Sequence, residues 1–202
     1  MNGSIIFGEI SQEEIHIDSR ELSARLGGYC TACHGIADPF IADITNAMST
    51  KYSARVCEVK HISADTVEIY GVRFTSSALA RALSGANIAY VMAVTLGSEV
   101  DRYLRKKEAL SPSAHYIADA VASAIAEATC DAAQKRLPSE CHGAPRFSVG
   151  YADLSLFYQR DVLKIIDGAR IGISLTDSYL MLPTKSITAI IGIKNEEKAN
   201  NT

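Results

Sequence analysis

The sequence predicts an α+β fold: one domain with a mixed sheet and a long central alanine-rich helix. Three features carry that expectation. Ser111 to Leu137 is bracketed by helix start and stop signals. Asn87 to Thr95 is an apolar strand that runs through Gly97 into another helix. The C-terminal third splits into short strands around one amphipathic helix, with no regular βαβ order. The domain is expected to span residues 1–195, with 196–202 as a disordered tail.

Each element has its own local signal. Asp18 with Glu21 three residues on reads as a helix start, and Gly27-Gly28 as its stop. A second helix is expected from Pro39 to Ser49, with Ile41, Ile44 and Met48 on one face. Arg55 to Ile62 and Thr66 to Phe74 read as strands joined through Ser63-Ala64-Asp65, and Ser76 to Leu83 as a short helix. Asn87 to Thr95 is apolar on both faces, so it belongs in the middle of the sheet. The next helix begins near Ser98.

Ser111 is a good cap, Pro112 suits the first helical position and Pro138 blocks continuation. The helix between them would run roughly 39 Å. Ile117, Val121, Ala124, Ile125 and Ala128 form its inner face, and its small side chains allow close packing against a sheet. Glu127 is the exception, since a carboxylate among alanines must reach solvent or meet a polar partner. Further on, Arg146 to Tyr151 is extended, Ser155 to Asp167 is an amphipathic helix, and Ile171 to Leu175, Tyr179 to Leu182 and Ile187 to Ile193 read as short strands.

Composition narrows the function. Apolar residues at 48% and charged residues at 21% suit a folded soluble domain, and a net charge of -3 gives no electrostatic reason for nucleic acid or an anionic membrane as partner. The longest apolar run, Ile88 to Leu96, falls far short of the roughly 20 residues a membrane span needs. Met1-Asn2-Gly3-Ser4 lacks the basic and apolar regions of a secretory signal. The cytoplasm is therefore the expected compartment, with the five cysteines as thiols.

Arg146-Phe147-Ser148-Val149-Gly150-Tyr151, an Arg-x-x-x-Gly-Tyr pattern, resembles the S-adenosylmethionine-binding signature of the activation domain of cobalamin-dependent methionine synthase. Leu175 to Pro183 is similar to a second block of that family, Ala93 to Gly97 to a third, and Ile117 to Glu127 to its long helix. These blocks keep the family's order over roughly the last 110 residues.

The resemblance implies a stand-alone S-adenosylmethionine-binding protein that supports reductive remethylation of cob(II)alamin. The cobalamin would be carried by a partner methionine synthase or corrinoid protein, because no Asp-x-His-x-x-Gly corrinoid motif is present. The electron would come from flavodoxin or ferredoxin. Arg146 offers a planar fork for a carboxylate, Ser148 main-chain groups for an adenine edge, Gly150 room against backbone, and Tyr151 a ring or hydroxyl. A family glutamate falls at Ser123, with Glu127 one turn later on the same face as its possible substitute. Val149 stands where the signature carries proline, and the acid that would hold the ligand's amino group has no evident N-terminal counterpart. A docking module for a corrinoid-dependent methyltransferase, without use of S-adenosylmethionine, is the alternative.

The cysteines offer competing chemistry. Cys30-Thr31-Ala32-Cys33-His34 fits the haem c attachment pattern, but also chance or a redox dithiol. A zinc site would need two more ligands, and adjacent Cys141-His142 is poor geometry for them. Cys57 and Cys130 read as small core residues. Gly97-Ser98 could meet an anion or simply turn strand into helix, and Lys185-Ser186 could line the cleft or begin the last strand. With no export signal in view, the purified protein is expected to be colourless and free of covalent haem even when haem-maturation machinery is supplied. A Soret band that survives denaturation would overturn this.

Overall fold

The structure, a computed structural model, describes residues 3–27 and 33–194. In chain order they form β1 (Ile5–Glu9), α1 (Ser19–Arg25), α2 (Cys33–Ala47), β2 (Lys51–His61), β3 (Thr66–Ile69), β4 (Val72–Thr75), α3 (Ser77–Ala82) and β5 (Ala86–Thr95). There follow α4 (Ser98–Leu110), α5 (Pro112–Lys135), α6 (Gln159–Ile165), β6 (Ser174–Leu175), β7 (Met181–Leu182) and β8 (Ser186–Lys194). Gly28, Cys30 and the expected tail at 196–202 lie outside the described residues.

The α+β class and the long helix hold. The sheet has the order β4-β3-β2-β5-β8, with β1 also on β2. It is not mixed, because every described pairing is antiparallel. A single crossover helix between neighbouring strands gives a parallel pair. Here no neighbouring pair is joined by one helix alone: β1 to β2 and β5 to β8 carry two or more helices, β2 to β5 carries the β3–β4 hairpin as well as α3, and β2 to β3 and β3 to β4 are short hairpins.

β5 lies between β2 and β8, and its period of two feeds both faces. Ala89, Val91 and Ala93 join a core with Leu79 of α3 and Val162 and Ile165 of α6. Met92 and Val94 pack instead with Cys130, Ala132 and Ala133 of α5. The other half of α5 meets Leu22, Ala37, Ile44, Val100 and Leu104 of the remaining helices. Thus α5 is covered by the sheet and by other helices, which its alanines permit.

Several boundaries move for local reasons. Thr66 to Phe74 is two strands, because Tyr70 (φ 54°) and Gly71 (φ 79°) both take positive φ and make a two-residue hairpin turn. β2 begins at Lys51, held from there to Arg55 by β1, an edge strand that pairs across a long stretch of sequence. α2 begins at Cys33, with Pro39 inside it, and buried Ala37 and Ile44 hold it together. Ser155 to Asp167 opens as a 3-10 turn, Leu156–Tyr158, before becoming α6. The Ile171 to Leu175 strand shrinks to β6, because Gly168–Ile171 is a 3-10 turn ended by Gly172 at φ 82°. Tyr179 to Leu182 likewise shrinks to β7.

The caps follow the sequence closely. Asp18 accepts from the Arg20 N–H at 2.7 Å, and Ser111 from the Ala114 N–H at 3.4 Å. Ser76 caps α3 and is itself held by Asp153, which also accepts from the Ser77 N–H at 2.8 Å. Gly97, at φ 87°, turns β5 into α4, and an added Cβ there would lie 3.2 Å from the Ser49 carbonyl oxygen. That supports the plain strand-to-helix role.

Glu14 ties the N-terminal segment to the end of α5 through a two-pronged pair with Arg136, both bonds at 2.8 Å. Those bonds, with help from Ser11, hold the Glu14 carboxyl at a pKa of about 2. A carboxylate with a depressed folded-state pKa stabilises the fold above its ordinary value of 4.5, and that contribution is lost as pH falls towards 2. Glu14→Gln should therefore melt below wild type at pH 7, with the gap closing as the pH is lowered towards 2. A gap that stays constant across thermal melts over that range would rule out the ion pair as its source.

Candidate functional site

Most of α5 is hidden. Between Ala118 and Gln134, only Asp119, Ser123, Glu127 and Asp131 escape full burial. They recur every fourth residue and form one polar line along the helix. Three cations lie along it: Lys185, Arg146 and Arg25. Lys185, just before β8, reaches Asp119 at 2.7 Å and Ser123 at 2.8 Å. Arg146 takes the next turns: Nη2 donates to Glu127 at 3.1 Å, while Nη1 donates to Asp131 at 2.5 Å and to Gln134 at 3.1 Å.

Arg146 is placed from both sides. The Phe147 N–H donates to the Ile190 carbonyl at 2.9 Å and the Ile190 N–H returns a bond at 2.8 Å, docking this segment on β8. Gln134, buried, donates to the Cys141 and Ala144 carbonyls and fixes the loop that leads to Arg146. Burial works against the Arg146 charge, but Cys130, Asp131 and Glu127 outweigh it and raise the pKa above the ordinary arginine value. Glu127 also faces Arg25 of α1, at 4.0 Å.

Two cavities meet here, sharing Glu127 and Ser148. The first, about 570 Å³, is bounded by α5 and by His142 to Arg146. The second, about 440 Å³, is lined by apolar groups including Leu156, Leu180, Met181 and Ile187, with Gln159 and Thr188 among them. Each is in the range of small-molecule pockets, roughly 300–1,000 Å³.

The expected residues divide accordingly. Arg146, Glu127 and Ser148 come together around the first cavity. Gly150 and Tyr151 line neither cavity. Gly150 has φ 83° and turns the chain, its N–H donating to the Leu154 carbonyl at 3.0 Å. Tyr151 is 69% exposed and packs edge-on against Phe147. Ser186 lines the second cavity and opens β8, whereas Lys185 borders a separate one with Asp101 and His115. Asp131, Gln134 and Gln159 were missed. The first two could have been found from Glu127, which they follow by four and seven residues on the same helix face.

The backbone and packing fix a fold that can be matched to known ones. No family model matches the chain, and no curated protein matches it by sequence. A crystal structure of the MetH reactivation domain bound to AdoHcy superposes with a TM-score of 0.71 at 15% sequence identity, covering 98% of this chain and 80% of that one. The chain has the MetH reactivation-domain fold. That bears out the fold expected from the Arg146 to Tyr151 and Leu175 to Pro183 blocks.

Cys57, Cys130 and Cys141 are buried, and burial pushes their thiols up to about 11, 12 and 11, so they act as core residues. His142 contacts the Leu137 carbonyl at 2.9 Å. Among the described residues no cluster of three or more His, Cys, Asp or Glu could hold a metal, and no helix is long and apolar enough to cross a membrane.

Gly150→Ala tests the turn. A side chain there must adopt positive φ and sit 3.2 Å from Leu156 Cδ1. The cost should be about 1–2 kcal/mol of stability in urea unfolding. An unchanged midpoint would mean that the turn relaxes freely.

Proposed function

We propose that the cleft binds S-adenosylmethionine and that the protein supports reductive remethylation of cob(II)alamin held by a partner methionine synthase or corrinoid protein. Flavodoxin or ferredoxin would supply the electron. The observation that carries this reading is the state of Arg146. A guanidinium has five N–H donors, and three are engaged among the described residues. One on Nε and one on Nη2 remain, on adjacent nitrogens suited to a two-pronged carboxylate contact. Glu127 and Asp131 stand beside them and suit an ammonium group. An α-amino acid end thus finds both complements in the first cavity.

Ser148 marks the junction with the second cavity, where the rest of the ligand would lie. Tyr151 sits on the exposed rim, where a partner could reach it. The fold match adds that a protein of this architecture has been seen with AdoHcy. When bound, the ligand's sulfonium supplies an electrophilic methyl group; this chain's residues bind and orient it. The docking-module alternative draws on the exposed apolar rim of Tyr151, Phe157, Leu180 and Leu182.

Calorimetric titration separates the two. S-adenosylmethionine should bind wild type, and Arg146→Ala should lose about 1.5–3 kcal/mol, roughly ten- to a hundredfold in affinity. Arg146→Lys should recover only part of it, since an ammonium lacks the fork. With a cob(II)alamin-bearing partner and a low-potential reductant, methylcobalamin absorbance should appear only when this protein and S-adenosylmethionine are both present. Methylation without this protein, or no binding to wild type, would leave the docking module.

A further inference from the structure

Three groups hold the Arg146 guanidinium, and they are not alike. Glu127 and Asp131 are acids with side chains 34% and 58% exposed, whereas Gln134 is neutral and 5% exposed. The Gln134 amide has no freedom to turn. Its Nε2 donates to the Cys141 carbonyl at 2.5 Å and to the Ala144 carbonyl at 2.9 Å. Carbonyl oxygens only accept, so both N–H donors are committed and Oε1 must face Arg146, 3.1 Å from Nη1. Flipping the amide would set its oxygen against two others in a buried place.

We infer that Gln134 is a positioning residue for the amino-acid end of the ligand, and that it acts through Arg146. It is the contact that persists when the site fills. An arriving ammonium draws on Glu127 and Asp131, the same acids that hold Nη2 and Nη1, and loosens their grip on the guanidinium. Gln134 carries no charge for the ammonium to attract, and it is tied to the loop that leads to Arg146. It therefore keeps Nη1 in place and leaves the Nε and Nη2 donors aligned for the carboxylate. A third acid in its place would compete with the ligand for those donors, and would meet the Cys141 and Ala144 carbonyls with no proton to give.

The inference rests on the Arg146 reading, and two ligands keep the two apart. S-adenosylhomocysteine has the amino-acid end; 5′-methylthioadenosine has the same nucleoside without it. In calorimetric titration wild type should bind the first more tightly, and Arg146→Ala should close the gap. Gln134→Leu, of similar size and with no polar atom, should weaken S-adenosylhomocysteine roughly tenfold and leave 5′-methylthioadenosine unchanged. Added to Arg146→Ala, the same substitution should change nothing further. Loss of both affinities, of neither, or an equal loss with and without Arg146 would overturn the inference and leave the Arg146 reading standing. Equal binding of the two ligands by wild type, or a gap that survives Arg146→Ala, would overturn both. If Gln134→Leu melts well below wild type, the nitrogen NMR signals of the Arg146 guanidinium in the wild-type complex decide. Nη1 and Nη2 should stay distinct with S-adenosylhomocysteine bound, and a single averaged signal would overturn the inference.

Discussion

One face of the sheet and three of the helices are arranged around burying α5 on nearly all sides. A helix packs flat between a sheet and further helices only if its side chains are short, and α5 meets that demand with alanine at most buried positions. The helix runs 24 residues, about 36 Å. Such a helix has almost no surface of its own to spare for chemistry. What remains is the line Asp119, Ser123, Glu127 and Asp131, where the covering layers fail to meet.

That line explains why cations lie against it. Carboxylates at the edge of an apolar core would be costly unless paired, and Lys185 and Arg146 supply the partners from two separate segments of chain. The pairs differ in kind. The Lys185 ammonium gives two of its three donors to Asp119 and Ser123. The Arg146 guanidinium has donors to spare, so the same stabilising contact can also present itself to a ligand. Removing Arg146 would leave Glu127 with Arg25 alone, at 4.0 Å, and Asp131 without an ion-pair partner among the described residues.

Much of this was legible in the sequence. Caps and proline bounded α5 to within two residues, and the apolar run on both faces placed β5 inside the sheet, because these signals are local and strong. The strand pairings were less so. β1 is short, contains Gly8 and draws its stability from β2 more than forty residues on. The turn at Tyr70-Gly71 was hidden by a tyrosine in a position that usually selects glycine or asparagine. Around the cleft, Arg146 and Glu127 were visible as a motif and an anomaly, but their mutual contact depends on how β8 and α5 cross. Gln159 gave no sign in the sequence; only its burial beside a cavity distinguishes it from any helical glutamine.

The division between Arg146 and Gly150 shows how a motif can hold residues of different physical kinds. Arg146 acts through its side chain and reaches the cleft directly. Gly150 lines neither cavity and acts through φ, letting the chain turn back so that Leu154 can be buried and Asp153 can cap α3. The Asp153 carboxyl is held below its ordinary range, chiefly by the Ser76 hydroxyl and then by backbone N–H groups at the start of α3. The segment that carries Arg146 is thus pinned to β8 at Phe147 and to α3 at Asp153. Between those two pins the cleft's rim has little freedom, which is what a site needs if it is to hold a flexible ligand in one orientation.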